Sequence, residues 1–421
     1  LAAKCRAVAI GCNDPDLPLL KRSAPTVSKL AFFVVLQVFA SGLLDPLGAW
    51  TLGSGDVESA FLQGRRQAEG RKGPLYIWPP RDPITSLAGT WPNKLYEVIG
   101  NMYGFADAPL IFSYVVRERM YSAGFVSHSL DIMCFLYFVE GVLLCICIVH
   151  VDDFLFACSS RFDLDILVKL FEWGSMTFFP EPITFLNREV TKYLDGILVN
   201  QKTYVESLKI RKVPRGKGNT QLDPAGITEY LSCIGEGQFL ASHSRVDIAA
   251  DISLTQRQKA TYADLSAMYE ILNYVKSTSD QGIYVRPVPL NLENTCAVAY
   301  GDSGWANAPD LKSQTGCLVL LTTKQCLAEP TAASYQDHQS QRTQRVVRST
   351  LSGEAIAADN AADRGTFVSC YWYEVISGNP GRTNRNIPLF LVTDCKSLYD
   401  CIISEAPSLS EKRTLIDILS I

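Results

Sequence analysis

The sequence predicts a multidomain chain of mixed α and β structure, an α+β or α/β fold class, on three observations. At 421 residues the chain is too long for one ordinary core, so two or three domains are expected. Two apolar runs at 133–139 and 142–151 flank Glu140-Gly141, which is the pattern of an antiparallel hairpin. From residue 296 onward the order strand, strand, helix, strand is typical of an α/β domain.

The first third of the chain combines one buried helix with loops and short strands. Residues 26–42 (TVSKLAFFVVLQVFASG) place an apolar run between a Thr/Ser start and a Gly stop, which predicts a buried helix. A short strand is predicted to end at Asp56. Residues 65–94 are rich in Gly, Pro and Arg and are predicted to be mostly loop, with a strand near 75–78. An amphipathic helix is predicted to begin near Pro109.

The remaining elements follow the hairpin. Asp152-Asp153 is predicted to lie on a second tight turn before a third β-run at 154–157. Residues 199–290 combine a basic loop with helical segments, notably 261–278, and a linker near 287–291 follows. The C-terminal part is predicted to contain strands at 296–301 and 316–322, a helix at 350–376 and a strand at 388–393.

Charge and cysteine content restrict the possible partners and environment. The formal net charge of −4 counts mildly against a nucleic-acid partner, unless positive charge is concentrated locally. Two basic stretches do concentrate it, namely Lys202, Lys209, Arg211, Lys212, Arg215 and Lys217, and then Arg342, Arg345 and Arg348. For the first stretch, a solvated loop is about as good an explanation. The 13 cysteines include no Cys-x-x-Cys pair, so a zinc site has little support, and scattered thiols favour a reducing compartment, cytoplasm or nucleus.

No membrane partner is predicted. The most apolar run, Val142–Val151, is too short to span a bilayer and is predicted to be a buried strand. The chain begins at Leu1 rather than Met, so we expect it to be a piece of something longer. The oligomeric state is not predicted by the sequence.

Three aspartates in the first half form a candidate metal site. Asp152 and Asp153 are adjacent on the turn of an apolar hairpin, where like charges repel, and a divalent cation would remove that repulsion. Carboxylate oxygens are the ligands that Mg²⁺ prefers. With Asp56 delivered by a neighbouring strand end, the set could hold two metals roughly 4 Å apart. A surface hairpin with an Asp-Asp turn is the simpler alternative, and for the pair alone it is the better one.

The surrounding motifs resemble the reverse transcriptase of copia-type retrotransposons. Residues 56–64 (DVESAFLQG), 102–109 (MYGFADAP) and 149–154 (VHVDDF) occur in the order of that family's Asp-Val-x-x-Ala-Phe-Leu-x-Gly, Leu-Tyr-Gly-Leu-x-x-Ala-Pro and Tyr-Val-Asp-Asp motifs. Residues 4–11 (KCRAVAIG) resemble the family's fingers strand, and 247–250 and 272–276 resemble stretches after its palm. The resemblance covers nearly the whole chain.

The resemblance implies a residue-by-residue assignment. Asp56, Asp152 and Asp153 would be the catalytic, metal-binding aspartates, and Phe61 the bulky side chain that excludes a ribose 2′-hydroxyl. The remaining substrate-binding residues would be Lys4 and Arg6 at the triphosphate, Gly104, Ala108 and Pro109 under the templating base, and His150 at the primer end. Without the family, Phe61 would be interpreted as a core aromatic.

The chain departs from the family pattern at several positions. His150 replaces the usual tyrosine, which puts primer-end positioning in doubt. Asp107 adds a negative charge to the template-side helix turn, and Ile10 stands where a second basic residue is frequent. The fingers also begin too late to be complete.

Four carboxylates in the second half form another candidate site. Asp302 and Asp394 close apolar β-runs, Glu354 lies in the first turn of a helix, and Asp417 lies near the C-terminal end. Acids at two strand ends and on a helix can converge on one face of a sheet, which suits two-metal hydrolysis with water as nucleophile. For any one of them, a helix cap or a surface charge is the simpler explanation.

These stretches resemble the copia-type ribonuclease H. Its stretches read Tyr-Ser-Asp-Ala-Asp-Trp-Ala, Ser-Ser-Thr-Glu-Ala-Glu-Tyr and Cys-Asp-Asn. In this chain Gly304 takes the place of the second acid of the first stretch, and Cys395 takes the place of the asparagine. Asp417 is the weakest assignment, because the helix around it is cut short at Ile421.

One motif points elsewhere. Residues 301–304 (GDSG) match the nucleophile loop of serine proteases, but a triad also needs a positioned histidine and an aspartate. The four histidines, His128, His150, His243 and His338, stand in no matching context, so we do not expect a protease.

The resemblance implies a retrotransposon Pol fragment with RNA-directed DNA polymerase and ribonuclease H parts. It implies fingers (partial) and an antiparallel palm over 1–198, a helical thumb or connection over 199–290, and a ribonuclease H-like α/β domain over 295–421. It further implies two Mg²⁺ or Mn²⁺ ions per active site, with an RNA template, a DNA primer, an RNA–DNA hybrid and deoxynucleoside triphosphates as partners. Two alternatives stay open: a degenerate or repurposed copy that binds nucleic acid without catalysis, and a metal-dependent hydrolase unrelated to polymerases.

Overall fold

The computed structural model describes residues 7–45, 49–64, 71–80, 89–91, 93–210, 218–289, 292–308, 310–380, 387–404 and 412–421. Lys4 and Arg6, and the basic loop over 211–217, lie outside these residues. The helices are α1 Lys29–Gly42, α2 Ala108–Ser122, α3 Asp165–Val168, α4 Lys202–Ser207, α5 Pro224–His243, α6 Ala249–Thr255, α7 Tyr262–Ser277, α8 Thr350–Ser377, α9 Lys396–Ile402 and α10 Lys412–Ser420.

The strands form three main sheets and one small two-stranded ribbon. They are β1 Trp50–Val57, β2 Tyr76–Ile77, β3 Tyr96–Glu97, β4 Val126–His128, β5 Asp131–Val139, β6 Val142–His150, β7 Asp153–Ser159, β8 Trp173–Phe178, β9 Ile183–Phe185, β10 Arg188–Tyr193, β11 Gly196–Asn200, β12 Ile283–Val285, β13 Thr295–Gly304, β14 Gln314–Thr323, β15 Ser334–Arg342 and β16 Leu389–Val392.

The first sheet is antiparallel, with strand order β4-β5-β6-β7-β1-β8. The predicted hairpin is confirmed as β5 and β6. Glu140 and Gly141 at its turn have φ of 51° and 77°, the left-handed backbone that suits two-residue hairpin turns. Helix α2 covers one face of this sheet through Phe112, Val116 and Met120.

Helix α1 packs at the centre of the molecule, and the predicted buried helix is confirmed. Ser28 caps it, accepting a hydrogen bond from the backbone N–H of Ala31. Nearly every residue from 30 to 42 is buried, because the helix contacts the first sheet, the second sheet and β15. The ring of Phe33, for example, meets that of Tyr335 on β15 edge-on at 4.7 Å.

The second sheet is antiparallel, with strand order β12-β11-β10-β9, and its strands β11 and β12 contact α1. The domain boundary that we placed between 198 and 199 falls inside β11, and β12 from the following segment pairs with β11. The sheet therefore joins both sides of that boundary. Helix α7 agrees with the predicted helix over 261–278 and begins with a capping box between Thr261 and Asp264.

The third sheet has strand order β15-β14-β13-β16, in which β16 runs parallel to β13 and the other pairs are antiparallel. Helix α8 connects the antiparallel part to β16 and lies directly on β13. Gly301 permits this approach, because a Cβ there would lie 2.7 Å from the backbone oxygen of Ala357. The predicted strands and helix of this part are confirmed, and β15 is an additional strand.

One hydrophobic cluster runs through all three sheets, α1 and α8, and a second lies between the first sheet and α2. The second sheet's helices have a core of their own. Among the residues described above, none of the helices combines the length and the apolar character that crossing a bilayer requires.

Candidate functional sites

The first carboxylate group lies where β1 and β7 meet. The antiparallel register sets Asp56 directly opposite Asp153, at the end of both strands. Asp152 precedes β7 on a turn in which Val151 has a φ of 60°. The backbone oxygen of Asp152 accepts a hydrogen bond from the N–H of Val57 at 3.1 Å. The strand register thus places Asp56 beside the adjacent pair Asp152-Asp153, which lies about 100 residues further along the chain.

The negative charges of these three carboxylates repel one another. Burial raises the pKa of Asp153, and the charges of Asp152 and Asp56 raise it further. His150 pairs with Asp153 across the β6–β7 turn and acts in the opposite direction. The site would therefore gain from a bound cation.

Phe61 lies on a short 3-10 turn, Ala60–Gln63, that follows β1. Its ring is partly buried and contacts Tyr103 at 5.0 Å and Phe112 at 6.1 Å between centroids. The packing is consistent with a core aromatic, and the position, five residues beyond Asp56 on the chain, is consistent with a side chain that borders a substrate.

Gly104 lies in the turn before α2, against an N-terminal segment that ends at Gly11. It has a φ of 90°, and a Cβ would lie 2.0 Å from the backbone oxygen of Ala9. The N–H of Ala9 in turn donates to the oxygen of Tyr103 at 2.8 Å. Glycine is therefore required here for a close backbone crossing. Ala108 and Pro109 form the first turn of α2, and Ala108 is buried.

The negative charge of Asp107 is neutralised by a residue that the sequence analysis missed. Arg71 donates from Nη2 to both carboxylate oxygens of Asp107 at 3.0 Å, and from Nη1 to Asp14 at 2.6 Å. All three side chains are at most 6% exposed. No local sequence pattern predicts this group of Arg71, Asp14 and Asp107, because the three residues are far apart in sequence.

The second carboxylate group joins Asp302 at the end of β13, Glu354 in the first turns of α8 and Asp394 just after β16. Their carboxylate oxygens lie within 4.8 Å of one another, and across the described part of the chain this is the one such group of three or more acidic or metal-ligating side chains. The parallel pairing of β13 and β16 brings both strand ends to one edge, where α8 begins.

Glu354 is the buried member of this group, with 9% of its surface exposed. Burial, followed by the charges of Asp302 and Asp394, raises the pKa of Glu354 to about 7. Its Oε2 is buried and has no hydrogen-bond partner among the described residues. A buried carboxylate oxygen facing two further carboxylates fits a hard divalent cation such as Mg²⁺.

Asp417 is on α10, outside this group, and forms an ion pair with Arg345. That pairing also occupies one of the three arginines of the second basic stretch, and Arg342 lies 3.9 Å from Asp310. Arg348 is exposed, as is Lys202 in the first basic stretch. The carboxylate oxygens of Asp56, Asp152 and Asp153, in contrast, do not all lie within 4.8 Å of one another.

The serine-protease motif has no support in the structure. The Oγ of Ser303 is buried and has no hydrogen-bond partner within the described residues, so no histidine activates it. The hydrolase alternative also loses its basis, since it required Asp56 to lie far from Asp152-Asp153.

No protein-family model matches the chain, but curated proteins do. The Retrovirus-related Pol polyprotein from transposon RE1 of Arabidopsis thaliana is 26% identical over 341 residues, 76% of this chain and 22% of that protein. The putative transposon Ty5-1 protein of Saccharomyces cerevisiae is 23% identical over 284 residues, 63% of this chain and 88% of that protein. The chain is a homologue of retrotransposon Pol polyproteins.

This relationship agrees with the resemblance to copia-type Pol. The chain spans 22% of the length of the RE1 polyprotein. A solved structure, a foamy viral protease-reverse transcriptase in complex with an RNA/DNA hybrid, aligns with 96% of this chain and 45% of its own, at 14% identity and a TM-score of 0.47.

Proposed function

We propose that this Pol homologue is an RNA-directed DNA polymerase with ribonuclease H activity. The first sheet would be the palm, with partial fingers, within 1–198. Residues 199–290 would form the thumb or connection, with β11 and β12 as its link to the palm, and 295–421 a ribonuclease H-like domain. The observation that carries the proposal is the presence of two separate carboxylate groups, each at the edge of its own sheet, in a homologue of Pol.

Asp56, Asp152 and Asp153 are proposed as the catalytic, metal-binding acids of the polymerase, and Asp302, Glu354 and Asp394 as those of the ribonuclease H. Both donor sets consist of carboxylate oxygens and suit Mg²⁺ or Mn²⁺, two per site. When bound, such ions supply charge stabilisation at phosphate and a nucleophile of lowered pKa. Asp417 remains a weaker candidate, since its partner in the structure is Arg345.

Substrate contacts are proposed for residues around the first group. Phe61 would exclude a ribose 2′-hydroxyl, so that deoxynucleoside triphosphates are preferred. Gly104, Ala108 and Pro109 would form the floor beneath the templating base. Lys4 and Arg6 would contact the triphosphate, and His150 the primer end.

An RNA template, a DNA primer and the resulting RNA–DNA hybrid are the proposed nucleic-acid partners. Recognition would be independent of sequence, through backbone charge and the A-like shape of the hybrid. The exposed Arg348 and Lys202 are proposed phosphate contacts. A hybrid-binding affinity that does not weaken as salt rises would contradict this.

Primer extension on an RNA template with Mg²⁺ or Mn²⁺ tests the polymerase. Asp152→Asn should abolish nucleotide incorporation and leave the fold intact, because the substitution keeps the side chain's size and removes a metal-ligating oxygen. Asp163→Asn, an exposed aspartate on the same sheet's loop, is the matched control and should retain full incorporation. Undiminished polymerisation by Asp152→Asn would remove the assignment.

Cleavage of the RNA strand in an RNA–DNA hybrid tests the second group. Asp302→Asn should abolish cleavage and spare primer extension, since the two carboxylate groups lie on different sheets. Asp310→Asn, an exposed aspartate that follows the same strand, should have no effect. Loss of both activities together in Asp302→Asn would mean that the groups do not act as independent sites.

A second candidate function is a repurposed copy that binds nucleic acid without catalysis. It is favoured by the distances among the carboxylate oxygens of Asp56, Asp152 and Asp153, which do not all lie within 4.8 Å of one another. It is also favoured by His150, which stands at the position of the family's tyrosine. Hybrid binding without incorporation or cleavage in the unaltered chain would support this second function over the first.

A further inference from the structure

The short turn that carries Phe61 is held by side chains outside it. The turn follows Ser59, whose φ of 50° is left-handed, and it begins with a backbone bond from the N–H of Leu62 to the oxygen of Ser59 at 2.7 Å. The backbone hydrogen bonds of a short 3-10 turn have poor geometry, so contacts with neighbouring residues contribute to its position.

The side-chain amide of Gln63, the last residue of the turn, joins it to the neighbouring strand. Its Nε2 donates to the backbone oxygens of Glu58 at 2.6 Å and Glu172 at 3.0 Å. Its Oε1 accepts from the N–H of Glu172 at 3.3 Å. Glu172 immediately precedes β8, which pairs with β1 beside Asp56, so the amide ties the turn to the strand pair that carries the catalytic acid.

Arg119 on α2 holds the same end of the turn from the side of the helix. Its Nη2 donates to the backbone oxygen of Gln63 at 3.0 Å, and its Nη1 donates to that of Leu170 at 2.8 Å. The guanidinium also lies over the ring of Phe171, 4.9 Å from the centroid. A planar guanidinium with several donors can make these contacts at once, which an ammonium cannot.

Aromatic contacts also connect α2 to the turn. Phe112 lies two helical turns before Arg119 on the same face of α2. Its ring contacts Phe61 at 6.1 Å and Phe171 at 6.2 Å. Helix α2 therefore contacts the turn twice, once through the Phe112 ring against Phe61 and once through Arg119 on the turn's last carbonyl.

We propose that Arg119 is a positioning residue that sets the sugar selectivity of this polymerase by fixing, through Gln63, the location of the Phe61 ring. The proposal rests on the polymerase function proposed above. Exclusion of a hydroxyl is a steric effect, and a displacement of 1 Å at a reacting site can change rates about 100-fold. A turn released from Arg119 would let the ring withdraw and admit a ribose.

The test measures kcat/KM for a deoxynucleotide and for the matching ribonucleotide in single-nucleotide primer extension by the full chain. Arg119→Met should lower the ratio of the two values roughly tenfold, mainly through a lower KM for the ribonucleotide, equivalent to about 1.4 kcal/mol. Arg119→Lys should give an intermediate ratio. Arg117→Met is the matched control, because Arg117 is on the same helix and lies over Tyr114 instead.

A purely structural role would lower both kcat/KM values together and leave their ratio unchanged, and that result would overturn the proposal. So would an equal drop of the ratio in Arg117→Met. If Arg119→Met does not fold, Gln63→Leu removes only the amide bonds and should lower the ratio in the same direction. An unaltered chain that incorporates no deoxynucleotide would refute the polymerase function itself, and this proposal with it.

Discussion

Replacing Glu354 with glutamine tests the C-terminal carboxylate group without an activity assay. Burial and the charges of Asp302 and Asp394 raise the pKa of Glu354 from an ordinary 4.5 to about 7. The difference of about 2.5 pH units, at about 1.36 kcal/mol per unit, corresponds to about 3 kcal/mol. Because Asp302 and Asp394 are exposed to water, screening reduces the expected effect to about 1–2 kcal/mol.

The sign of the effect follows from the two protonation equilibria. The unfolded chain loses the Glu354 proton near pH 4.5 and the folded protein near pH 7, so the ionised form destabilises the fold as pH rises through this window. The destabilisation is absent below pH 4.5 and complete above pH 7. Glutamine carries no charge, so Glu354→Gln should be more stable than the unaltered chain by about 1–2 kcal/mol at pH 8, and by much less at pH 5.

Urea unfolding in metal-free buffer at pH 5 and pH 8 measures the difference in the free energy of unfolding between the two proteins. The difference is obtained from the shift of the urea midpoint, provided that the dependence of stability on urea concentration is the same for both. Added Mg²⁺ should then stabilise the unaltered chain by mass action more than it stabilises Glu354→Gln, which keeps only the proposed site at Asp56, Asp152 and Asp153. Asp363→Asn, an exposed aspartate on the same helix, is the control and should change neither result. Equal stability of Glu354→Gln and the unaltered chain at pH 8 would refute the electrostatic reasoning, and an undiminished Mg²⁺ response would refute the metal site.

Three further predictions concern the first half of the chain. Asp153→Asn should abolish primer extension and raise the urea midpoint in metal-free buffer at pH 7, because burial and two neighbouring carboxylates raise the pKa of Asp153. Arg71→Met should lower the free energy of unfolding by about 3–5 kcal/mol, measured by urea unfolding, because Asp14 and Asp107 would stay buried without their guanidinium. Gly104→Ala should cost about 1–3 kcal/mol in the same assay, because it adds a Cβ at a left-handed position against a backbone oxygen.

Each of these has an outcome that contradicts it. A lower urea midpoint for Asp153→Asn would mean that Asp153 is stabilised in its ionised form. For Arg71, adding Asp107→Asn to Arg71→Met should recover part of the loss, and no recovery would mean that the guanidinium acts by packing alone. For Gly104, a stability equal to that of the unaltered chain would mean that the backbone crossing relaxes at no cost.

The elements predicted correctly are those whose burial follows a local rule. Helix α1 and the β5–β6 hairpin are long apolar runs with clear boundaries, and α7 and α8 begin at capping side chains. Strand β15, by contrast, has the sequence SYQDHQSQR, with no apolar alternation. It is buried because α1 and α6 pack on it, and no pattern within nine residues contains that information.

The candidate sites divide in the same way. The motifs predicted that Asp56 would meet Asp152-Asp153, and the strand register does bring them together. Asp417 also followed from a pattern of spaced acids, but its partner depends on where α10 lies, and in the structure that partner is Arg345. Ion pairs between distant residues are set by packing, so a sequence can propose an acid without indicating which charge it will meet.

The buried carboxylates of this fold differ in the groups that they contact. Asp14 and Asp107 share Arg71, whereas Asp131 and Glu374 accept hydrogen bonds from the backbone N–H groups of Ser28 and Ser129. Each of these buried carboxylates therefore has a favourable partner. Glu354 instead faces two carboxylates, which leaves its pKa raised and one of its oxygens without a partner among the described residues. This repulsion is left without compensation, unlike the charges of the other buried acids named above, and the contrast supports the proposal that the C-terminal group holds a cation.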